Sequence, residues 1–89
     1  MRKSIDTLLR FPCLFPVKIM GSQHEDFPQT IFDVIRRYDP AIADEQFEIR
    51  TSKNGSYVSI TATITARSGQ QLNKLYLALA RHPLVRFVL

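Results

Sequence analysis

One stretch constrains this chain more than any other: from Tyr57 to Thr65 every second residue is apolar. Val58, Ile60, Ala62 and Ile64 share one side, while Tyr57, Ser59, Thr61, Thr63 and Thr65 share the other. Side chains alternate across a strand, so the run predicts a β-strand buried on one face and free on the other. Strands of a parallel sheet, covered by helices on both faces, read as nearly continuous apolar runs. The alternation therefore predicts an antiparallel sheet with a single protective layer.

The rest of the chain supplies the partners for that strand. Val17-Lys18-Ile19-Met20, closed by Gly21, reads as a first strand with Phe15, Val17 and Ile19 on the buried face. Pro16 lacks an N–H and is expected at the strand's first position. A helix follows, with Phe27, Ile31, Val34, Ile35 and Tyr38 on one stripe and Pro40 at its end. Asp26 and Gln29 have the spacing of a capping box, as do Ser68 and Gln71. Gln46 to Thr51 alternates as a second strand, and Lys53-Asn54-Gly55-Ser56 reads as the hairpin turn into the third. Leu72, Leu75, Tyr76 and Leu79 mark a second helix stopped by Pro83. Val85 to Leu89 closes the order as a strand with Val85, Phe87 and Leu89 inward.

The order is βαββαβ, which predicts an α+β fold: a ferredoxin-like sandwich of a four-stranded antiparallel sheet with two helices on one face. Right-handed crossovers place both helices on the same side. Parity then puts Lys18, Met20, Glu48, Arg50, Tyr57, Ser59, Thr61, Thr63, Arg86 and Val88 on the open face. Residues 14–89 make the domain. Residues 1–13 read as an N-terminal arm in which Ile5, Leu8 and Leu9 form one apolar helical turn.

With 89 residues the chain holds one core. Cys13 is its only cysteine, so it has no internal disulfide, which suits a reducing compartment. No run approaches the roughly 18 apolar residues a membrane span needs, and the reading is a cytoplasmic protein with no membrane partner. All eight acidic residues lie between Asp6 and Glu48, whereas six basic ones and no acidic one follow Ile49. That basic second half suits an anionic ligand, a nucleic acid or an acidic partner.

Three stretches carry a family resemblance: Val17-Lys18-Ile19-Met20-Gly21, Ser52-Lys53-Asn54-Gly55-Ser56-Tyr57-Val58-Ser59-Ile60-Thr61, and Leu75-Tyr76 through Val85-Arg86-Phe87-Val88-Leu89. Together with the Phe11-Pro12 arm they resemble the YbeD-like family of small bacterial proteins over nearly the whole chain. The resemblance implies a ferredoxin-like fold close to ACT domains, which are small-molecule sensing modules of metabolic enzymes. It also implies a gene-neighbourhood link to lipoate metabolism, and it carries over no catalytic residue. ACT domains commonly open their first loop with an Asp and a Pro-Gly step, whereas this chain has Gly21-Ser22-Gln23-His24.

The residues predict binding rather than catalysis. Cys13 lies among prolines and apolar residues, and His24 and His82 lack a spaced third ligand, so neither a nucleophile nor a metal site is expected. No cofactor is expected. Gly21, Ser22 and Gln23 lead toward a helix N-terminus and could cradle a small carboxylate or phosphate. Lys18, Arg50, Tyr57, Thr61 and Arg86 form a second candidate surface on the open face. The leading expectation is a non-enzymatic, ACT-like regulatory or interaction module that acts through a protein partner or a second copy. The rival is an RNA- or single-stranded-DNA-binding module. It would use Tyr57 as a stacking platform and Lys18, Arg50 and Arg86 as phosphate contacts.

Overall fold

The computed structural model describes residues 10–89, so the turn expected at Ile5, Leu8 and Leu9 lies outside the described residues. The elements are β1 (Cys13–Ser22), α1 (Phe27–Tyr38), β2 (Phe47–Thr51), β3 (Tyr57–Ala66), α2 (Gly69–Ala80) and β4 (Val85–Val88). A short 3-10 turn, Asp44–Gln46, precedes β2. The strands form one antiparallel sheet in the order β2-β3-β1-β4. Both crossovers place their helices on one face, as the order predicted.

The alternating run is the centre of the sheet. Val58, Ile60, Ala62, Ile64 and Ala66 are buried, packed with Val17 and Ile19 from β1. Phe27, Ile31, Val34 and Ile35 of α1 and Leu72, Leu75 and Leu79 of α2 close the core from above. Each such side chain contributes about 1.5–3 kcal/mol through burial, which favours this single layered core over any alternative register.

Four local expectations are corrected. Pro16 sits inside β1, opposite Thr63, rather than at its start. Lys18 exchanges both backbone hydrogen bonds with Leu89, so alternate residues of β1 face β4. Pro16 faces the same way, beyond the end of β4, and its missing N–H costs no ladder bond.

Asp26 makes no side-chain cap on α1; its N–H is taken by His24 Nδ1 at 3.1 Å, and Gln29 turns to Asp33 instead. The second box forms by half. Ser68 Oγ accepts from Gln71 N–H at 3.0 Å, but Gln71 Oε1 accepts from Arg67 N–H rather than from Ser68.

The last correction concerns β4. Gly21 pairs with Val85 but Met20 with Phe87, leaving Arg86 as an extra residue in a bulge. The bulge reverses the parity that simple alternation gave. Val88 falls opposite buried Ile19 on the helix side, while Phe87 and Leu89 turn to the open face, 49% and 64% exposed.

Where β2 stops, side chains continue its work. The free edge of β3 beyond Ala62 is met by Gln46 Nε2 on Thr63 O at 2.8 Å. Thr65 N–H goes to Asp39 Oδ2 at 2.9 Å, and Gln71 Nε2 reaches Thr65 O at 3.2 Å. Asp39 is 1% exposed, with Arg67 Nη1 3.5 Å from its Oδ1. Buried polar groups must be hydrogen-bonded, and this overhang is satisfied without a strand.

Candidate functional site

The open face is built from the outward residues of all four strands. Cross-strand pairing sets Leu89 beside Lys18, Lys18 beside Thr61 and Thr61 beside Glu48. The next row runs Phe87, Met20, Ser59, Arg50, and beyond it Ser22 faces Tyr57. Residues opposite one another in a sheet share a face, so these rows are one continuous surface.

Its Tyr57 end holds a shallow depression of about 190 Å³, lined by Met20, Arg50, Thr51, Ser52, Tyr57 and Ser59. Arg50 stands at the rim, its Nε and Nη2 on Glu48 Oε2 at 3.1 and 3.0 Å. Across β1, Arg86 Nη1 lies 3.4 Å from Ser22 Oγ, held there by the bulge. Arg50 thus borders the depression beside Met20 and Tyr57, and Arg86 stands on the same face across β1. Arginine offers a planar fork of donors suited to a carboxylate or phosphate, and both groups can exchange their present neutral or solvated partners.

Lys18, Arg50, Tyr57 and Arg86 therefore share the open face, with Thr61 half-buried between Lys18 and Glu48. Gly21, Ser22 and Gln23 stand differently from the expected loop. Gly21 and Ser22 end β1, and Gln23 N–H donates to Ser56 O at 3.1 Å. A Cβ on Gly21 would lie 2.4 Å from Phe27 Cε1 and 2.5 Å from Leu84 O, so the glycine is there for close packing. Of the three, Ser22 is the one that turns its side chain toward Arg86. Simple alternation missed Phe87 and Leu89 as open-face residues, because no local signal announces the bulge.

The hairpin turn carries Gly55 at φ 75°, where a left-handed backbone favours glycine. Asn54 Oδ1 accepts from Ser56 N–H at 3.1 Å and Ser52 N–H donates to Tyr57 O at 2.9 Å, which fixes the depression's wall. On the helix side, Tyr76 OH donates to Leu89 O at 3.1 Å, and burial raises its pKa above the ordinary 10.0. Among the described residues no group of three His, Cys, Asp or Glu side chains is placed to hold a metal ion, and no helix is long and apolar enough to cross a membrane.

Comparison with known proteins agrees with this architecture. A UPF0250 protein of Nitrosomonas europaea is 43% identical over 84 residues, covering 94% of this chain and 97% of the relative. One from Chromobacterium violaceum is 45% identical over 82 residues, covering 92% of both. Among solved structures, the solution structure of protein HP0495 from H. pylori superposes with a TM-score of 0.70 at 18% identity, over 91% of this chain and 85% of that one. The ACT domain from GTP pyrophosphokinase of Chlorobium tepidum superposes with a TM-score of 0.65 at 20% identity, over 88% and 96%. The family model described as "Protein of unknown function (DUF493)" matches residues 6–89, and the chain belongs to that family, the YbeD-like UPF0250 proteins, with an ACT-like ferredoxin fold.

Proposed function

We propose that this chain is a non-catalytic regulatory module of ACT type that works in the cytoplasm and binds a small anionic ligand on the open face. The single observation that carries the reading is the depression beside Tyr57, lined by Met20, Tyr57 and Arg50, with Arg86 farther across the same face on Ser22. A carboxylate or phosphate would take the guanidinium groups, and an aliphatic or aromatic body would lie on Met20 and Tyr57. Ligand sites of this kind combine apolar area with a few placed polar groups. Occupancy would alter the sheet face that a partner protein meets.

Thermal-shift screening against amino acids, short and medium-chain carboxylic acids, and nucleotides tests the reading. A true ligand at about ten times its Kd should raise Tm by several degrees, and Arg50→Ala should abolish the rise. A panel with no stabilising compound would remove the proposal.

A second reading gains one observation: with Phe87 outward, Tyr57 is no longer the face's lone aromatic ring. The two stand on strands either side of β1 and one row apart, about 12 Å from each other at the usual strand spacing and rise. A single-stranded nucleic acid bound there would stack on both, and its affinity would fall steeply with salt and with Tyr57→Ala. A flat titration at low salt eliminates it.

A further inference from the structure

We infer that β2 is the seam of a homodimer, in which two copies of this chain pair antiparallel, edge to edge, about a two-fold axis through Ile49. The inference concerns the rim of the sheet and shares only Arg50 with the ligand reading of its face.

The first support is the phase of the hydrogen bonds. Ser52 N–H donates to Tyr57 O, continuing the register in which Thr51 faces Val58. Bonded and non-bonded pairs alternate along an antiparallel ladder. Arg50 and Glu48 therefore spend their peptide groups on β3, while Phe47, Ile49 and Thr51 turn theirs to the outer edge. Phe47 N–H is already given to Asp44 O. That leaves the N–H and C=O of Ile49 and Thr51 and the C=O of Phe47. With Ile49 opposite Ile49 of the second copy, each Ile49 N–H meets the other Ile49 O. Each Thr51 N–H meets Phe47 O of the second copy. Four hydrogen bonds form, and every available donor within the strand finds an acceptor.

Charge gives the second support. The same axis sets Glu48 opposite Arg50 of the second copy, and Arg50 opposite its Glu48. Within one copy these two side chains already bond at 3.0 and 3.1 Å, so assembly exchanges one neutral pair for another and buries no net charge. An isologous seam requires a surface complementary to itself, and Glu-Ile-Arg read antiparallel has that property.

Packing is the third. Ile49 faces the helix layer, opposite the fully buried Ile60, yet remains 46% exposed, while α1 meets β2 at Phe47 through Phe32. Ile49 of a second copy would lie directly beside it. Arg36, which lies over the Phe47 ring on the helix side, is itself paired with Asp44 at 2.8 Å.

Other self-pairings lack these features. Two open faces laid together would set Lys18, Arg50 and Arg86 against the same cations. The β4 rim, Val85-Arg86-Phe87-Val88, has no acidic residue and is interrupted by the bulge. A seam of one five-residue strand is small, so the dimer is concentration-dependent.

Charge reversal tests the geometry. By sedimentation velocity the unmodified chain should pass from monomer to dimer as concentration rises. Arg50→Glu places acids at both 48 and 50, and Glu48→Arg places bases at both; each should weaken self-association by about tenfold or more. An equimolar mixture of the two should recover association as a heterodimer, read by native mass spectrometry with one variant isotope-labelled. Both positions are exposed, so circular dichroism and Tm should match the unmodified chain. Thr51→Pro, which removes an outward N–H alone, should also leave a monomer. The inference is overturned if the unmodified chain stays monomeric up to about 1 mM. It is equally overturned if either reversal associates as the unmodified chain does, or if the mixture pairs no better than its components.

Discussion

The two rims of the sheet are treated in opposite ways. At β4 the chain inserts a bulge, places Arg86 there, and reaches only as far along β1 as Lys18. At β2 the rim is regular and carries unspent backbone groups over Ile49. Even the overhang of β3 beyond β2 is closed, by Gln46, Asp39 and Gln71. Sheet edges invite pairing with other chains, and proteins blunt them with bulges, charges and side-chain caps. Of these three edge segments two are blunted. The one left regular is the one whose sequence complements itself.

The comparison rests first on the β4 bulge being built from packing. Gly21→Val would press a branched side chain into Phe27 and the Leu84 carbonyl, whose oxygen would lie 2.5 Å from the added Cβ. A stability loss of about 3 kcal/mol is expected from chemical denaturation, in the upper range for overpacking. A loss below about 1 kcal/mol would mean the β4 rim is loose.

The β3 overhang comes next. Asp39→Ala leaves the Thr65 N–H without its acceptor and Arg67 without its carboxylate. Leaving a donor unsatisfied costs about 1–3 kcal/mol, and hydrogen exchange at Thr65 should accelerate along with the drop in stability. Unchanged exchange there would show that the side chain does not close the edge.

Parity in β4 is tested by a pair of substitutions. Val88→Ser should lose about 1 kcal/mol or more, since Val88 packs against the core. Phe87→Ser should stay within about 0.5 kcal/mol of the unmodified chain, since the ring lies on the open face. The reverse ranking would restore uninterrupted alternation.

Tyr76, tethering the end of β4, supplies the smallest effect. Its folded pKa is raised by burial, so the unfolded chain loses that proton first. The native state then binds more protons above about pH 10, and stability, constant below that, falls as pH rises through the folded pKa. Tyr76→Phe should flatten this alkaline slope in thermal melts at graded pH. An unchanged slope would assign it to another group.

How much of this was legible in the chain varies by residue. Val58 through Ile64 announced their faces because a period of two admits one reading. Phe27, Ile31, Val34 and Ile35 did so because their spacing lays one stripe along a helix. Lys18, Arg50 and Tyr57 followed by parity from neighbours on regular strands. Asp39 and Gln71 did not, since Asp39 bonds a residue 26 positions away and Gln71 one 33 positions away. Gly21 looked like a turn residue and is a packing residue, because what it avoids comes from α1 and from the segment before β4.

The sequence by itself determined the element order, the single covered face and the open-surface residues of β1, β2 and β3, because each follows from local periodicity and chain polarity. The tertiary structure alone decided which way Phe87 and Val88 point, how the β3 overhang is closed, and which rim remains available. Those depend on register between strands far apart in the chain. A one-residue bulge, which leaves no mark on local pattern, turns every side chain beyond it to the other face.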